Sequence, residues 1–368
     1  MTIERITLTH VRIPLLEPFR ISNGSVGEKD GIIVRVDVDG LVGVGEASPM
    51  GGTFYSEDTP ESVWALLKDR LVPAVLAARP ATSADAHNVL ESLGGSPFAR
   101  AGIETAFWDL DAQRAGKPLY EFLGGTARPL QSGLAVGIYD STAALLRAIE
   151  RHMPEGYRRI KIKIEPGWDT VPLGEVRRQF PDVPLMVDAN CAYRREDIGH
   201  LAALDAFGLM MIEQPLPRED LEGHALLQRS LRTPVCLDES AEDIEHVRKA
   251  IALGSCRIIN IKIQRVGGLT NAKAVHDLCV AAGIPVWAGT MPELGIGSVQ
   301  TLHLATLPGF TFPTDVESTQ RWFVEDIIEP PIIVRQGVIT LPPGSGNCYA
   351  LSARALERYS VAEQVFRA

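Results

Sequence analysis

Hydrophobic and polar positions change their period twice along the chain. In TIERITLTHVRIPL they alternate with period two, which predicts a strand with one buried face. Two further alternating runs, GIIVRVDV and LVGVGEA, flank Asp39-Gly40, a dipeptide suited to a tight hairpin turn, so the first 50 or so residues read as antiparallel strands. From about 58 to 125 the spacing becomes helical. Pro60 stands early in one helix, and Ile103, Ala106, Phe107 and Leu110 mark the apolar face of another that stops near Gly116-Lys117-Pro118. Strands followed by helices predict an α+β module.

Beyond about residue 130, short apolar runs alternate with helical stretches: GLAVGI, RIKIKI, PLMVDAN, GLMMIEQP, TPVCLDES, RIINIKI, IPVWAGT and a last run near FTFPTD. This alternation predicts βαβ units and a parallel sheet. The strand ends carry Lys163, Asp188, Glu213, Asp238 and Lys262, which recur every 24 or 25 residues. An open sheet binds its ligand at one switch point, whereas a barrel gathers the C-terminal ends of all its strands around one mouth. Five successive strands ending in charge therefore favour a (β/α) barrel. The expected division is an α+β capping domain over 1–128, a barrel over 129–326 and a C-terminal segment, 327–368, that packs back on the cap.

Composition narrows the class. With 368 residues the chain is long enough for a large core, and 36 Lys+Arg against 46 Asp+Glu leave a net charge of −10, which disfavours nucleic acid as a partner. Five cysteines without a C-x-x-C pair read as a reduced, cytoplasmic protein with no disulfide framework or structural zinc. The N-terminus lacks the pattern of a signal peptide, and no apolar stretch approaches the roughly 20 residues needed to span a bilayer.

The strand ends carry the chemistry. Three neighbouring carboxylates, Asp188, Glu213 and Asp238, would repel one another at a barrel mouth unless a cation held them, and oxygen ligands without a His or Cys cluster point to Mg²⁺, with Mn²⁺ as the alternative. Taken singly, an Asp after a strand also serves as the N-cap of the next helix. Lys161 and Lys163 project from one face of their strand, so Lys161 is expected to help keep Lys163 able to take a proton. Lys262 lies across the mouth, beyond the three carboxylate strands. Two opposed amines around a divalent ion suit removal of a proton from the carbon next to a carboxylate. One active lysine gives elimination, and two allow racemisation. A metal-free Schiff-base aldolase built on either lysine leaves the carboxylates without a role. A barrel kept only for binding leaves the whole charged set without one. LGIGS at 294–298 is read as the turn into a helix and not as a phosphate loop.

The ordered set KIK, VDAN, IEQP, LDES and NIK resembles the enolase superfamily. Within it the chain resembles the muconate lactonizing subgroup, and more closely the o-succinylbenzoate synthase / N-acylamino acid racemase family, through EPFRISNG, RIKIKIEPGWD, VDANCAY, IEQPL, CLDES, NIKIQRVGG, HDLCVAAGIPVW and EDIIEPP. The resemblance implies a (β/α)7β barrel under a capping domain completed by the C-terminal tail. It implies Lys163 and Lys262 as catalytic amines, Asp188, Glu213 and Asp238 as Mg²⁺ ligands, and Lys161, Asn190 and Glu239 in support. Arg265 is similar to an Arg of members that racemise N-succinylamino acids, and a cation there is expected to lower the proton affinity of Lys262.

EPFRISNG resembles a capping loop, which implies substrate contacts for Phe19, Arg20 and Ser22. Substrate contacts are also expected of Met291, Glu293, Asp315 and Glu317, in segments that depart from the family pattern: GTMPELG stands after the seventh strand, and Asp315-Val316-Glu317 near the eighth. An acid at Glu317 would favour an amine, as in dipeptide epimerases, over a succinyl carboxylate. The expected activity is dehydration by an o-succinylbenzoate synthase of menaquinone biosynthesis, with N-succinylamino acid racemisation able to share the site, and the alternative is N-acylamino acid racemisation or dipeptide epimerisation as the main activity. The expected partners are a small carboxylate substrate and further copies of the chain in a homo-oligomer, with neither nucleic acid nor membrane.

Overall fold

The computed structural model describes residues 3–367. An antiparallel sheet is formed by β1 (Ile3–Ile21), β2 (Gly24–Val38) and β3 (Leu41–Ala47). The hairpin at Asp39-Gly40 is present, with φ of 50° and 78°, the left-handed pair that a two-residue turn demands. Against this sheet pack α1 (Ser83–Leu93), begun by a Thr82–Asp85 capping box, and α2 (Pro97–Arg114), begun by Ser96 and Pro97. Helix α2 lies so close to β3 that a Cβ on Gly45 would come within 2.1 Å of the Gly102 carbonyl oxygen, and only glycine permits that approach.

The second unit is a parallel sheet whose strands are neighbours in chain order: β4 (Leu134–Val136), β5 (Ile160–Lys163), β6 (Leu185–Asp188), β7 (Ile212–Glu213), β8 (Val235–Leu237), β9 (Ile258–Ile261) and β10 (Val286–Ala288). Between them run α3 (Thr142–His152), α4 (Thr170–Gln179), α5 (Ile198–Ala202), α6 (Leu221–Ser230), α7 (Ile244–Leu253) and α8 (Leu269–Ala281), and α9 (Gly295–Leu304) follows β10. The eighth barrel position is filled by an irregular segment rather than a regular strand. On one side the Thr311 and Asp315 amides donate to the Val286 and Ala288 carbonyls, each at 3.2 Å, and on the other the Gly133 amide donates to Thr314 at 2.9 Å. Pro313, with no N–H to give, breaks the ladder there. The chain ends in β11 (Ser360–Arg367), antiparallel to the outer edge of β1.

Strand parity explains where the chemistry sits. Val187, Ile212, Leu237, Ile259 and Ile261 belong to the large barrel core, whereas Met186, Met211, Cys236, Ile258 and Trp287 form a separate cluster. Two residues further along the same faces come Asp188, Glu213, Asp238 and Asn260. An apolar floor thus lies beneath a polar mouth. The five cysteines are free thiols, and no helix among the described residues is long and apolar enough to cross a membrane.

Candidate active site

A cavity lies at the C-terminal end of the barrel, and Lys161, Lys163 and Lys262 are all in its wall. Lys163 ends β5. Its Nζ donates to Asp188 Oδ2 at 2.6 Å and to Asn190 Oδ1 at 2.9 Å. Asn190 stands in the left-handed turn after β6, at φ 43°, and donates through Nδ2 to Glu239 Oε1 at 2.9 Å. Lys262, after β9, donates to Asp238 Oδ2 at 2.8 Å and to the Tyr55 hydroxyl at 3.0 Å. Arg265 takes the other oxygen of Asp238 at 3.1 Å and also reaches Tyr55.

The three carboxylates are buried to 1% exposure or less and stand on consecutive strands, with Asp188 and Glu213 opposite in register. They converge on ammonium groups, not on one point: among the described residues no three His, Cys, Asp or Glu side chains are grouped closely enough to hold an ion. Lys161 Nζ lies 3.3 Å from Glu213 and 3.7 Å from Asp188, and it also bonds Asp315. The donor set nevertheless has the character of a site for a hard divalent cation, being all carboxylate oxygen, buried, and mutually repelling. Burial and then Asp188 push the Glu213 carboxyl up to about 8, and burial and then Asp238 push Glu239 up to about 7. One oxygen of Glu239 is buried without a partner. Each of these raised values marks a carboxylate that added positive charge would relieve.

Cation–carboxylate pairing sets the remaining charges. Burial opposes the charge on Lys161, yet Asp315, Glu213 and Asp188 together raise its pKa above the ordinary lysine value. Lys161 is therefore a fixed cation two residues from Lys163. For Lys262 the expected lowering by Arg265 is outweighed. Burial and Arg265 both oppose its charge, but Asp238 lies 2.8 Å away and carries the net shift upward. Lys163 and Lys161 hold Asp188 below the carboxylate range despite its burial, as Arg265 and Lys262 do for Asp238.

Of the residues expected at the substrate, Phe19, Met291 and Asp315 line the cavity; Phe19 packs edge-on to Trp322 at 5.1 Å between ring centres. Arg20, Ser22, Glu293 and Glu317 are absent from its wall, and each makes its polar contacts elsewhere. Arg20 is exposed and pairs with Glu165 at 3.2 Å, and Ser22 donates to the Ala189 carbonyl at 3.0 Å. Glu293 turns back to accept from the Met291 amide at 3.0 Å. Glu317 accepts from the Ala135 amide at 2.5 Å and faces Arg321 at 3.4 Å, and burial pushes its carboxyl up to about 8. The acid that would have favoured an amine substrate does not reach the cavity.

Tyr55, Met50 and Trp322 also line the site but had no motif to reveal them, and Ile21, inside EPFRISNG, lines it beside Phe19. Tyr55 had one signal, an aromatic pair, Phe54-Tyr55, directly after Gly51-Gly52-Thr53. Asn260, the first residue of NIK, donates to Glu213 Oε1 at 2.7 Å.

Comparison with known proteins shows the family. Residues 3–124 match the family described as mandelate racemase / muconate lactonizing enzyme, N-terminal domain, and residues 144–355 match the enolase C-terminal domain-like family. The chain is 45% identical to an o-succinylbenzoate synthase of Geobacillus stearothermophilus over 367 residues, covering 100% of this chain and 98% of that protein. It is 41% identical to an N-succinylamino acid racemase of Thermus thermophilus, covering 98% of each. A crystal structure of an enolase-superfamily member from Listeria innocua superposes with a TM-score of 0.94 at 33% identity, over 100% of this chain and 99% of that one.

Proposed function

Because the chain belongs to the enolase superfamily, in the family that joins o-succinylbenzoate synthases with N-succinylamino acid racemases, we propose that this enzyme removes the proton α to a carboxylate, with o-succinylbenzoate synthesis by dehydration as its main reaction. The observation that carries this reading is the pair of buried amines, Lys163 and Lys262, in one cavity wall, on strands separated by the three that bear Asp188, Glu213 and Asp238. Those three carboxylates would hold a divalent cation, Mg²⁺ or Mn²⁺, which supplies positive charge for the enediolate oxygens when bound. With Asp188 serving as a ligand, Lys163 keeps Asn190 Oδ1 and the cationic Lys161 as neighbours. Lys163 then takes the α-proton and returns it to the departing hydroxyl, so that water leaves. Lys262 stays cationic and stabilises the enediolate from the opposite side.

A second reaction is supported by one feature. Lys262 stands on the strand side opposite Lys163 in the same cavity wall, a second amine for the other face, and Arg265 shares Asp238 with it, each cation on one oxygen. N-succinylamino acid racemisation is accordingly proposed to share the site, with each lysine serving one face of the α-carbon. The test is a screen of the synthase precursor, N-succinylamino acids and dipeptides with Mg²⁺ present. Turnover of the precursor with succinyl substrates as the weaker set is expected. Turnover of dipeptides alone, or full activity in chelator with substrate trapped by borohydride, would overturn it.

A further inference from the structure

Glu46 is a carboxylate that the reaction does not use and that the fold nevertheless buries completely, at 0% exposure. It stands near the end of β3, in the cap, and reaches into the barrel. Its Oε1 accepts from the Leu294 amide and its Oε2 from the Gly297 amide, each at 2.8 Å, so both oxygens grip the start of α9. Gly297 makes room for this, since a Cβ there would lie 2.6 Å from Glu293 Cγ and 3.3 Å from Glu46 Cδ. The backbone next to Glu46 is tied as well. Its carbonyl accepts from Gln264 Nε2 at 2.7 Å, and Gln264 Oε1 accepts from the Ser48 amide at 2.9 Å. Lys29, 4% exposed, donates to the Ser48 and Pro49 carbonyls at 3.3 and 3.0 Å.

These anchors bracket the cavity wall. Met50 follows directly after the two carbonyls that Lys29 holds, while Thr290, Met291 and Pro292 precede the amides that Glu46 holds. Gln264 lies two residues after Lys262. One buried polar cluster therefore fixes a cap loop and a barrel loop relative to each other and to one of the lysines. None of its members lines the cavity.

We propose that Glu46, with Lys29 and Gln264, is a positioning unit that sets the spacing of Met50 from Met291 and thereby decides which distal groups of the substrate the enzyme accepts. The inference rests on the proposed reaction and adds to it a determinant of specificity outside the residues that touch substrate. Displacement of a packed wall by a fraction of an ångström discriminates between side chains of different size, an effect of about tenfold or more for each methylene.

The experiment compares full-length wild type, Glu46→Gln and Lys29→Met, each with Mg²⁺, on the N-succinyl derivatives of alanine and of phenylalanine, reading kcat and KM of α-proton exchange. Each variant is expected to change the ratio of kcat/KM between the two substrates by about tenfold, chiefly through KM, with kcat for the alanine derivative within about threefold of wild type. A loss shared equally by both substrates, with the ratio unmoved, overturns the inference, because a merely structural role predicts that result. Should Glu46→Gln fail to fold, Lys29→Met decides, since it replaces a buried ammonium by an apolar chain of similar length and leaves the grip on α9 in place. Wild type inert on both derivatives would instead sink the proposed racemisation, and the inference with it, before any variant is measured.

Discussion

Arg159, Lys161 and Lys163 project from one face of one strand, yet the structure gives them three separate tasks. Arg159 is 1% exposed, donates to Asp315 Oδ1 at 2.6 Å and stacks over Trp287 at 5.0 Å. Lys161 joins Asp315 to the carboxylates, and only Lys163 shares its contacts with Asn190. Lys163→Ala is expected to lower both dehydration and net racemisation by about 10³-fold or more in kcat, and Lys262→Arg to impair racemisation more than dehydration, as paired steady-state assays would read. For Glu317 the expectation differs. Glu317→Ala leaves Arg321 buried without its carboxylate, so urea unfolding should show a loss of about 3 kcal/mol, with KM unchanged because the side chain does not line the cavity. Residues at the strand ends were legible in sequence because period and chemistry coincide there. Glu293 and Glu317 were not, since a side chain just past a strand can turn either way, and only the local hydrogen bond from Met291 and the tertiary one from Ala135 show which.

At the scale of elements, the parity of β5 to β9 was the most legible feature. Recurrence every 24 or 25 residues placed the ionisable groups at one mouth without any tertiary information, whereas the apolar floor beneath them shows only in the structure. The eighth barrel segment was less legible, because Pro313 leaves a bridged loop where a strand was expected. The contact of β3 with α9 was not readable at all, being made by residues about 250 positions apart. Two expectations belong here. Gly297→Ala drives a methyl into Glu293 and Glu46, so a loss of about 1–3 kcal/mol is expected in chemical unfolding. His303, on α9, accepts from the Tyr120 amide at Nδ1, so its Nε2–H donates to the Asn347 carbonyl; burial holds its pKa down to about 4. The folded ring is thus neutral where the unfolded one binds a proton. This contribution to stability is complete above about pH 6.5 and is lost on acidification toward pH 4 at up to about 1.4 kcal/mol per pH unit. Urea titrations across that range should show the slope, and His303→Gln should lessen it.

For the molecule as a whole, the net charge of −10 reads differently once the site is known. Its carboxylates at the barrel mouth are neutralised within the protein by lysines and arginines, and those same amines are the proposed acid–base groups. A cation that binds only the folded protein raises its stability by mass action, about 2.7 kcal/mol at a hundredfold excess over Kd. Mg²⁺ should therefore raise the melting temperature of wild type and not that of Asp188→Asn, a calorimetric test independent of turnover. The central claim is that two amines serve opposite faces of one α-carbon, and it is tested most directly by proton NMR in D₂O. Each enantiomer of an N-succinylamino acid would be incubated with Mg²⁺ and wild type, Lys163→Ala or Lys262→Ala. Wild type should exchange the α-proton of both enantiomers, and each variant should lose exchange with one enantiomer, a different one for each lysine. Loss of the same enantiomer by both variants, or no exchange by wild type, would contradict the account.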